Sequence, residues 1–283
     1  MIARGCVTGM QRGMLELRAP ALRVDDIVRI GERGDVSARI FELGESRALA
    51  IAAQPCNGVA LGDPVRVAHE GDTLALGTCA LGRALDASGT VLHGAPVRGP
   101  RASIRTRSWL PQEREAITQP FWTGVRALDG LLTFGRGARI GLFGAPGCGK
   151  SSLLEQIVSG ARADVVVIAL VGERGREARR WFDAIDARTT VVCATSDRLP
   201  VERARAATVA MAQAVALCRR GLHVVLLLDS LARYAAALRE IAIAAGEAAG
   251  RGGYPASVFA DLARLVEIAG NFRCGSITLV ASV

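Results

Sequence analysis

The chain has 283 residues, half of them hydrophobic but only 4% aromatic, and carries a net charge of +8. That length buries one large core or two modest ones, and an interior rich in Ala, Val and Leu suits an α/β fold. No apolar run approaches the roughly 18 residues that cross a bilayer, and the N-terminus lacks the apolar stretch of a secretory signal, so the sequence reads as cytosolic.

The seven cysteines (Cys6, Cys56, Cys79, Cys148, Cys193, Cys218 and Cys274) include no C-x-x-C pair. They read as reduced small hydrophobes, not as disulfides or metal ligands. His69, His93 and His223 are far apart in sequence, so core or surface roles are expected. Residues 1–100 hold 11 arginines and 11 acids, which leaves the whole +8 in residues 101–283. Such an excess suits nucleic acid, acidic lipid or nucleotide phosphates. Without aromatic interleaving or one dense basic block, nucleic acid is the minority reading.

In chain order, residues 5–17, 27–30, 37–41, 47–51 and 64–67 are brief apolar-alternating runs separated by glycine turns. Short strands at near-regular spacing predict a small β-barrel. Residues 86–119, rich in Gly, Pro, Ser and Arg, read as an extended connection. From residue 139 strands alternate with helices. Strands are expected at 139–143, 164–171, 190–193, 222–228 and 276–280. Helices are expected at 150–159, 176–186, 201–219, 231–245 and 256–269. Continuous apolar strands joined by helices imply a parallel sheet covered on both faces, with ligands beyond the carboxyl ends of its strands.

Three places on that edge carry chemistry. The octet Gly144-Ala145-Pro146-Gly147-Cys148-Gly149-Lys150-Ser151, followed by Ser152, fits the phosphate-loop pattern G-x-x-x-x-G-K-[ST]. Its glycines let backbone N–H groups turn inward as an anion nest at a positive helix end. Lys150 should reach the β/γ-phosphates, and the Ser151 hydroxyl should bind Mg²⁺. Lys150 is the only lysine among 35 basic residues. A GC-rich coding sequence would account for the arginines, but not for a lone lysine at this position.

Asp229 ends the apolar run 224–228. A carboxylate there either meets a cation, Mg²⁺ held with Ser151 being the natural one, or merely caps the next helix. The loop upstream favours the metal. Gly172-Glu173-Arg174-Gly175-Arg176-Glu177 follows the strand at 164–171. Glu173 at the sheet edge can orient an attacking water. Arg174 can steady a phosphate, and Glu177 either meets a water of the metal shell or is a solvated acid at a helix start. Arg176, Arg179 and Arg180 read as a solvated or interface face.

The hexapeptide GERGRE, Asp229-Ser230-Leu231-Ala232-Arg233-Tyr234, Arg239-Glu240-Ile241, Gly253-Tyr254-Pro255 and Gly275-Ser276-Ile277-Thr278 resemble the ATPases of bacterial type III secretion systems. The flagellar export ATPase is a close relative in pattern, and the rotary ATP synthase β subunit a more distant one. Segments 81–86 and 123–130 extend the likeness over nearly the whole chain. The resemblance implies an N-terminal β-barrel domain (1–80) and a RecA-like P-loop ATPase domain (81–283) that binds ATP and Mg²⁺. By motif, Lys150 and Ser151 would be the phosphate and Mg²⁺ residues, Glu173 the catalytic carboxylate and Asp229 a second metal-shell carboxylate. Arg174, Glu177 and Arg233 match supporting polar residues.

The resemblance further implies homohexamers at the cytoplasmic face of an inner-membrane export gate, working with stator and stalk proteins and with chaperone–effector complexes. In that family more chain follows the point matching Ser282-Val283. It carries further core strands, an arginine finger, adenine contacts and a helical domain. The expectation is thus a C-terminally incomplete core with an uncovered sheet edge, and a non-hydrolysing assembly subunit stands as the alternative. An RNA motor of the terminator type also joins a barrel to an ATPase ring, but the GYP and GSIT segments argue against it.

Overall fold

Alternating apolar residues in short strands close the N-terminal part into a barrel. A computed structural model describes residues 4–11, 14–24, 26–34, 36–68, 72–145 and 147–283; His69 and Pro146 lie outside these. The barrel strands are β1 (Arg4–Gln11), β2 (Met14–Arg18), β3 (Ile27–Ile30), β4 (Val36–Leu43), β5 (Ala48–Ala52) and β6 (Pro64–Val67), in the order β1-β2-β5-β4-β3-β6. The run at 5–17 thus divides into two antiparallel strands, with Gln11 opposite Met14. Inward residues such as Leu15, Leu17, Val28, Ile40 and Val65 form the barrel's own core.

The connecting stretch is more structured than its composition suggests. β7 (Thr73–Ala75) pairs with β10 (Arg101–Ser103), while β8 (Arg83–Leu85) and β9 (Val91–His93) form a hairpin. β8 joins the main sheet, and Trp109 stacks on Phe272 at 4.0 Å between ring centroids. Arg219 and Arg114 lie over the two rings, each 5.5 Å away, so the stretch is held by aromatic burial and cation–π contacts.

Next come β11 (Pro120–Phe121), α1 (Arg126–Leu131) and β12 (Phe134–Gly135). Thr123 and Gly124 donate backbone N–H groups to the Asp129 carboxylate at 2.8 and 2.9 Å. Burial pushes that carboxyl up, but the hydrogen bonds win and hold it below the ordinary range. Gly124 has φ +79°, and a β-carbon on it would come within 2.5 Å of Gly160, so only glycine fits this contact.

The main sheet is built from β13 (Arg139–Leu142), β14 (Val165–Glu173), β15 (Thr189–Thr195), β16 (His223–Asp229), β17 (Gly270–Phe272) and β18 (Gly275–Ser282). Its order is β13-β18-β16-β14-β15-β8-β9, with β17 antiparallel to β18. The strands from β13 to β8 run parallel. Its helices are α2 (Lys150–Gly160), α3 (Gly175–Asp183), α4 (Pro200–Cys218), α5 (Leu231–Ala244) and α6 (Ala256–Glu267). β14 shows why the sheet is covered twice. Val165, Val167, Ala169 and Val171 join the core with the Ala-rich α4, and Val166, Ile168 and Leu170 join the core with α2. Among the described residues no helix is long and apolar enough to cross a membrane.

His223, the first residue of β16, is a core histidine. It lies 3.0 Å from Thr278 through Nε2 and meets Phe121 edge-on at 5.6 Å. Burial, aided by the Arg136 charge, pushes its pKa down to about 4. The folded protein therefore holds the imidazole neutral, and its contribution is complete above the ordinary value near 6.5. It is lost as pH falls from there to about 4. Urea unfolding should show about 3 kcal/mol less stability at pH 4 than at pH 7 from this group. His223→Leu should flatten the pH dependence by that amount, and an unchanged slope would refute the assignment.

Candidate nucleotide site

β13 leads straight into residues 143–149, and α2 starts at Lys150. Gly147 and Gly149 have φ of +81° and +90°, a left-handed backbone that residues with a β-carbon rarely adopt. Gly149 is the N-cap and supplies no side-chain hydrogen bond, so the first N–H groups of α2 are left to an external acceptor. A β-carbon on Gly144 would lie 2.5 Å from Cys148 Sγ, so the loop closes tightly there. The Cys148 N–H donates to the Ala145 carbonyl at 3.3 Å. Lys150 Nζ donates to the Gly144 carbonyl and, at 3.2 Å, to that of Ala145. Its ammonium thus folds over the mouth of the loop. Pro146 is the one loop residue outside the described set. Ser151 and Ser152 are exposed on the first turn of α2.

Glu173 reaches the same edge through a backbone irregularity. The β14–β15 register shifts between Val171 and Glu173, and Gly172 between them has φ +70°. Such a bulge re-aims the next side chain. Glu173 is buried and forms an ion pair with Arg233 at 2.7 Å. The same Arg233 guanidinium donates to the Gly172 carbonyl at 2.5 Å, which pins the bulge. Burial raises the Glu173 pKa to about 7, and the Glu177 hydrogen bond and Asp229 charge add to it, outweighing Arg233. Glu177, more exposed, is held below the carboxylate range chiefly by that hydrogen bond from Glu173. Of the two carboxyls, Glu173 therefore binds a proton more readily than Glu177.

Asp229 is buried at the end of β16. The helix cap that the sequence offered as its alternative role belongs to its neighbour: the Ser230 hydroxyl accepts the Arg233 N–H at 3.2 Å. Asp229 instead accepts a hydrogen bond from the Ser282 hydroxyl at 2.5 Å. Ser151, Glu173, Glu177 and Asp229 line one cavity of about 360 Å³ together with Glu155, Arg176, Arg180 and Trp181.

Four of the sequence candidates thus converge. Arg174 does not join them: its side chain is mostly exposed and lies 4.0 Å from Glu177. In its place α3 turns Arg176 and Arg180, one helical turn apart, toward the cavity. The sequence reads both as part of a solvated or interface face, and their i,i+4 spacing is the signal that places them on one side of the helix. Ser282 was missed because its partner lies 53 residues away. A larger cavity of about 950 Å³ separates the barrel from α4, α5 and α6, away from the phosphate loop. One of its arginines, Arg205, is already paired with Asp72.

Among the described residues there is no group of three or more His, Cys, Asp or Glu placed to hold a metal. The donors in the cavity fit Mg²⁺, which keeps several waters and takes one or two protein oxygens plus substrate phosphates. The Ser151 hydroxyl and the Asp229 carboxylate are such oxygens.

A parallel sheet, a glycine-rich loop opening a helix and two carboxylates at neighbouring strand ends define a P-loop nucleotide-binding protein. The profile of the ATP synthase alpha/beta family, nucleotide-binding domain, matches residues 124–283. The type 3 secretion system ATPase of Pseudomonas syringae pv. syringae is 40% identical, over 99% of this chain and 66% of the relative. The flagellum-specific ATP synthase of Pseudomonas aeruginosa is 38% identical, over 87% of this chain and 56% of the relative. A solved structure of the assembled ATPase EscN with its central stalk EscO, from the enteropathogenic E. coli type III secretion system, superposes with a TM-score of 0.91. It is 35% identical, over 99% of this chain and 70% of that one. The chain belongs to the ATP synthase alpha/beta family. It spans just under two thirds of the length of the secretion ATPase from P. syringae pv. syringae.

Proposed function

We propose that this chain binds Mg-ATP and hydrolyses it to ADP and phosphate, powering chaperone release and protein export in a type III secretion system. The observation that carries the reading is the single cavity joining Ser151, Glu173 and Asp229 beside the phosphate loop. The likeness to secretion ATPases supplies the process. Residues 1–80 act as the barrel domain and 81–283 as the nucleotide domain. The loop amides and Lys150 bind the phosphates, and Ser151 and Asp229 hold Mg²⁺, which neutralises charge developing on them. Glu173 orients the attacking water and accepts its proton, with a pKa near operating pH. Arg233 positions Glu173, Glu177 accepts a hydrogen bond from the Glu173 carboxyl, and Arg174 contributes from the rim.

The assembly proposed is a homohexamer at the cytoplasmic side of the inner membrane, with stalk and stator proteins and chaperone–effector complexes as partners. Flagellar export is the second reading, favoured by the likeness to the flagellum-specific relative. Phosphate release with Mg-ATP tests the activity: turnover should appear with Mg²⁺ and vanish in EDTA. A chain that binds no nucleotide refutes the proposal, and binding without turnover makes it an assembly subunit. Deleting the gene should stop effector secretion and leave motility intact; the reverse result favours the flagellar reading.

A further inference from the structure

Ser282 closes β18, a strand of Ile277, Leu279, Val280 and Ala281 between β13 and β16, and is fully buried. A hydroxyl at such a place needs a partner. It finds Asp229, donating to Oδ1 at 2.5 Å, a short charge-assisted bond. The second carboxylate oxygen, Oδ2, has no hydrogen-bond partner among the described residues, while Asp229 itself lines the cavity with Ser151. The bond fixes the rotation of the carboxylate about its terminal torsion, which is otherwise broad.

The strand pairing ties this bond to the phosphate loop. Ser282 is in register with Leu142, the last residue of β13, and the Val283 N–H donates to the Leu142 carbonyl at 2.9 Å. One strand end thus touches both the carboxylate and the root of the loop.

We propose that Ser282 is a positioning residue for the divalent cation that accompanies the nucleotide: its hydroxyl occupies one oxygen of Asp229 and commits the other to the cation shell. The inference rests on the nucleotide site proposed above and deepens it. Hydrogen-bond partners of metal-binding carboxylates typically shift metal affinity by about 10–100-fold when removed.

The test is binding of a fluorescent ADP to the full chain as Mg²⁺ is titrated, with the affinity in EDTA as the control. Ser282→Ala should raise the Mg²⁺ needed for half-maximal tightening by about 10–100-fold. Ser282→Thr, which keeps the hydroxyl, should bring it back to within about threefold of wild type, by the same reasoning. An unchanged Mg²⁺ requirement in Ser282→Ala overturns the inference. So does equal impairment of the two variants, since a purely structural role would respond to shape and not to the hydroxyl. If Ser282→Ala fails to fold, Ser282→Cys, of similar size and a weak donor, takes its place with the same two outcomes. A wild-type chain that binds no nucleotide refutes the proposed function itself. Mg²⁺-dependent binding that Ser282→Ala leaves untouched refutes only the role of Ser282.

Discussion

Glu173→Gln should lower ATP turnover by about 10²–10⁴-fold, the usual worth of a positioned general base, while the affinity for ATP stays within a few-fold of wild type. The separation follows from the geometry. In the proposed site the phosphates would meet loop amides and Lys150, whereas Glu173 stands at the end of a different strand, lining the cavity with Ser151. Glutamine keeps the shape and the contact with Arg233 but can neither take a proton nor carry charge. Single-turnover phosphate release and equilibrium nucleotide binding measure the two quantities separately. Retention of more than about a tenth of the turnover would move the water-orienting role to another group, and Glu177 is the nearest carboxylate.

The same substitution has a signature in the nucleotide-free protein. Burial first, then the Glu177 hydrogen bond and Asp229, raise the Glu173 pKa from an ordinary 4.5 to about 7. The folded state therefore binds this proton more tightly than the unfolded one. The stabilising contribution is present below pH 4.5 and is lost as pH rises through 7. Above that, the buried charge costs on the order of 2–3 kcal/mol. Glutamine does not titrate, so the stability of Glu173→Gln relative to wild type should rise by that order between pH 5 and pH 8 in urea unfolding. A flat difference would show that Glu173 is already ionised in the empty site.

How far the sequence led depended on whether a feature was local. The phosphate loop is contiguous, and Asp229 stands out because a carboxylate ends an unbroken apolar run. Both could be read without a fold. The direction of Glu173 could not, because it depends on the bulge at Gly172 and on the partner strand that defines the register. Arg174 and Arg176 illustrate a phase problem. Each residue of an α-helix turns the side chain by about 100°, so placing these two arginines requires knowing that α3 begins at Gly175. β8 and β9 are three residues each, the first just before the Gly- and Pro-rich stretch and the second inside it, and β8 is defined as part of the main sheet by its pairing with β15. The Ser282–Asp229 bond joins two strand ends through space. Local pattern carries no trace of it.

Lys150→Ala should cost about 10²–10³ in turnover, the order seen when a preorganised donor to a reacting oxyanion is removed, and should weaken ATP binding as well. The sharper expectation concerns Lys150→Arg. The chain uses arginine for every other basic residue, 34 of 35, so if charge alone sufficed an arginine here would serve. The loop argues otherwise. Lys150 Nζ sits over the carbonyls of Gly144 and Ala145, where glycines keep the backbone close and a single compact cation fits. A guanidinium is planar, broader and bound to a fixed fork of donors. It would either push Gly144 against Cys148 or turn out of the loop. Lys150→Arg should therefore recover less than about a tenth of the wild-type turnover, although its charge is unchanged. Recovery to within about threefold would show that the loop reads only charge. Because Glu173→Gln is expected to spare binding and the Lys150 variants are not, the two sets together would separate the grip on the phosphates from the chemistry at the γ-phosphate.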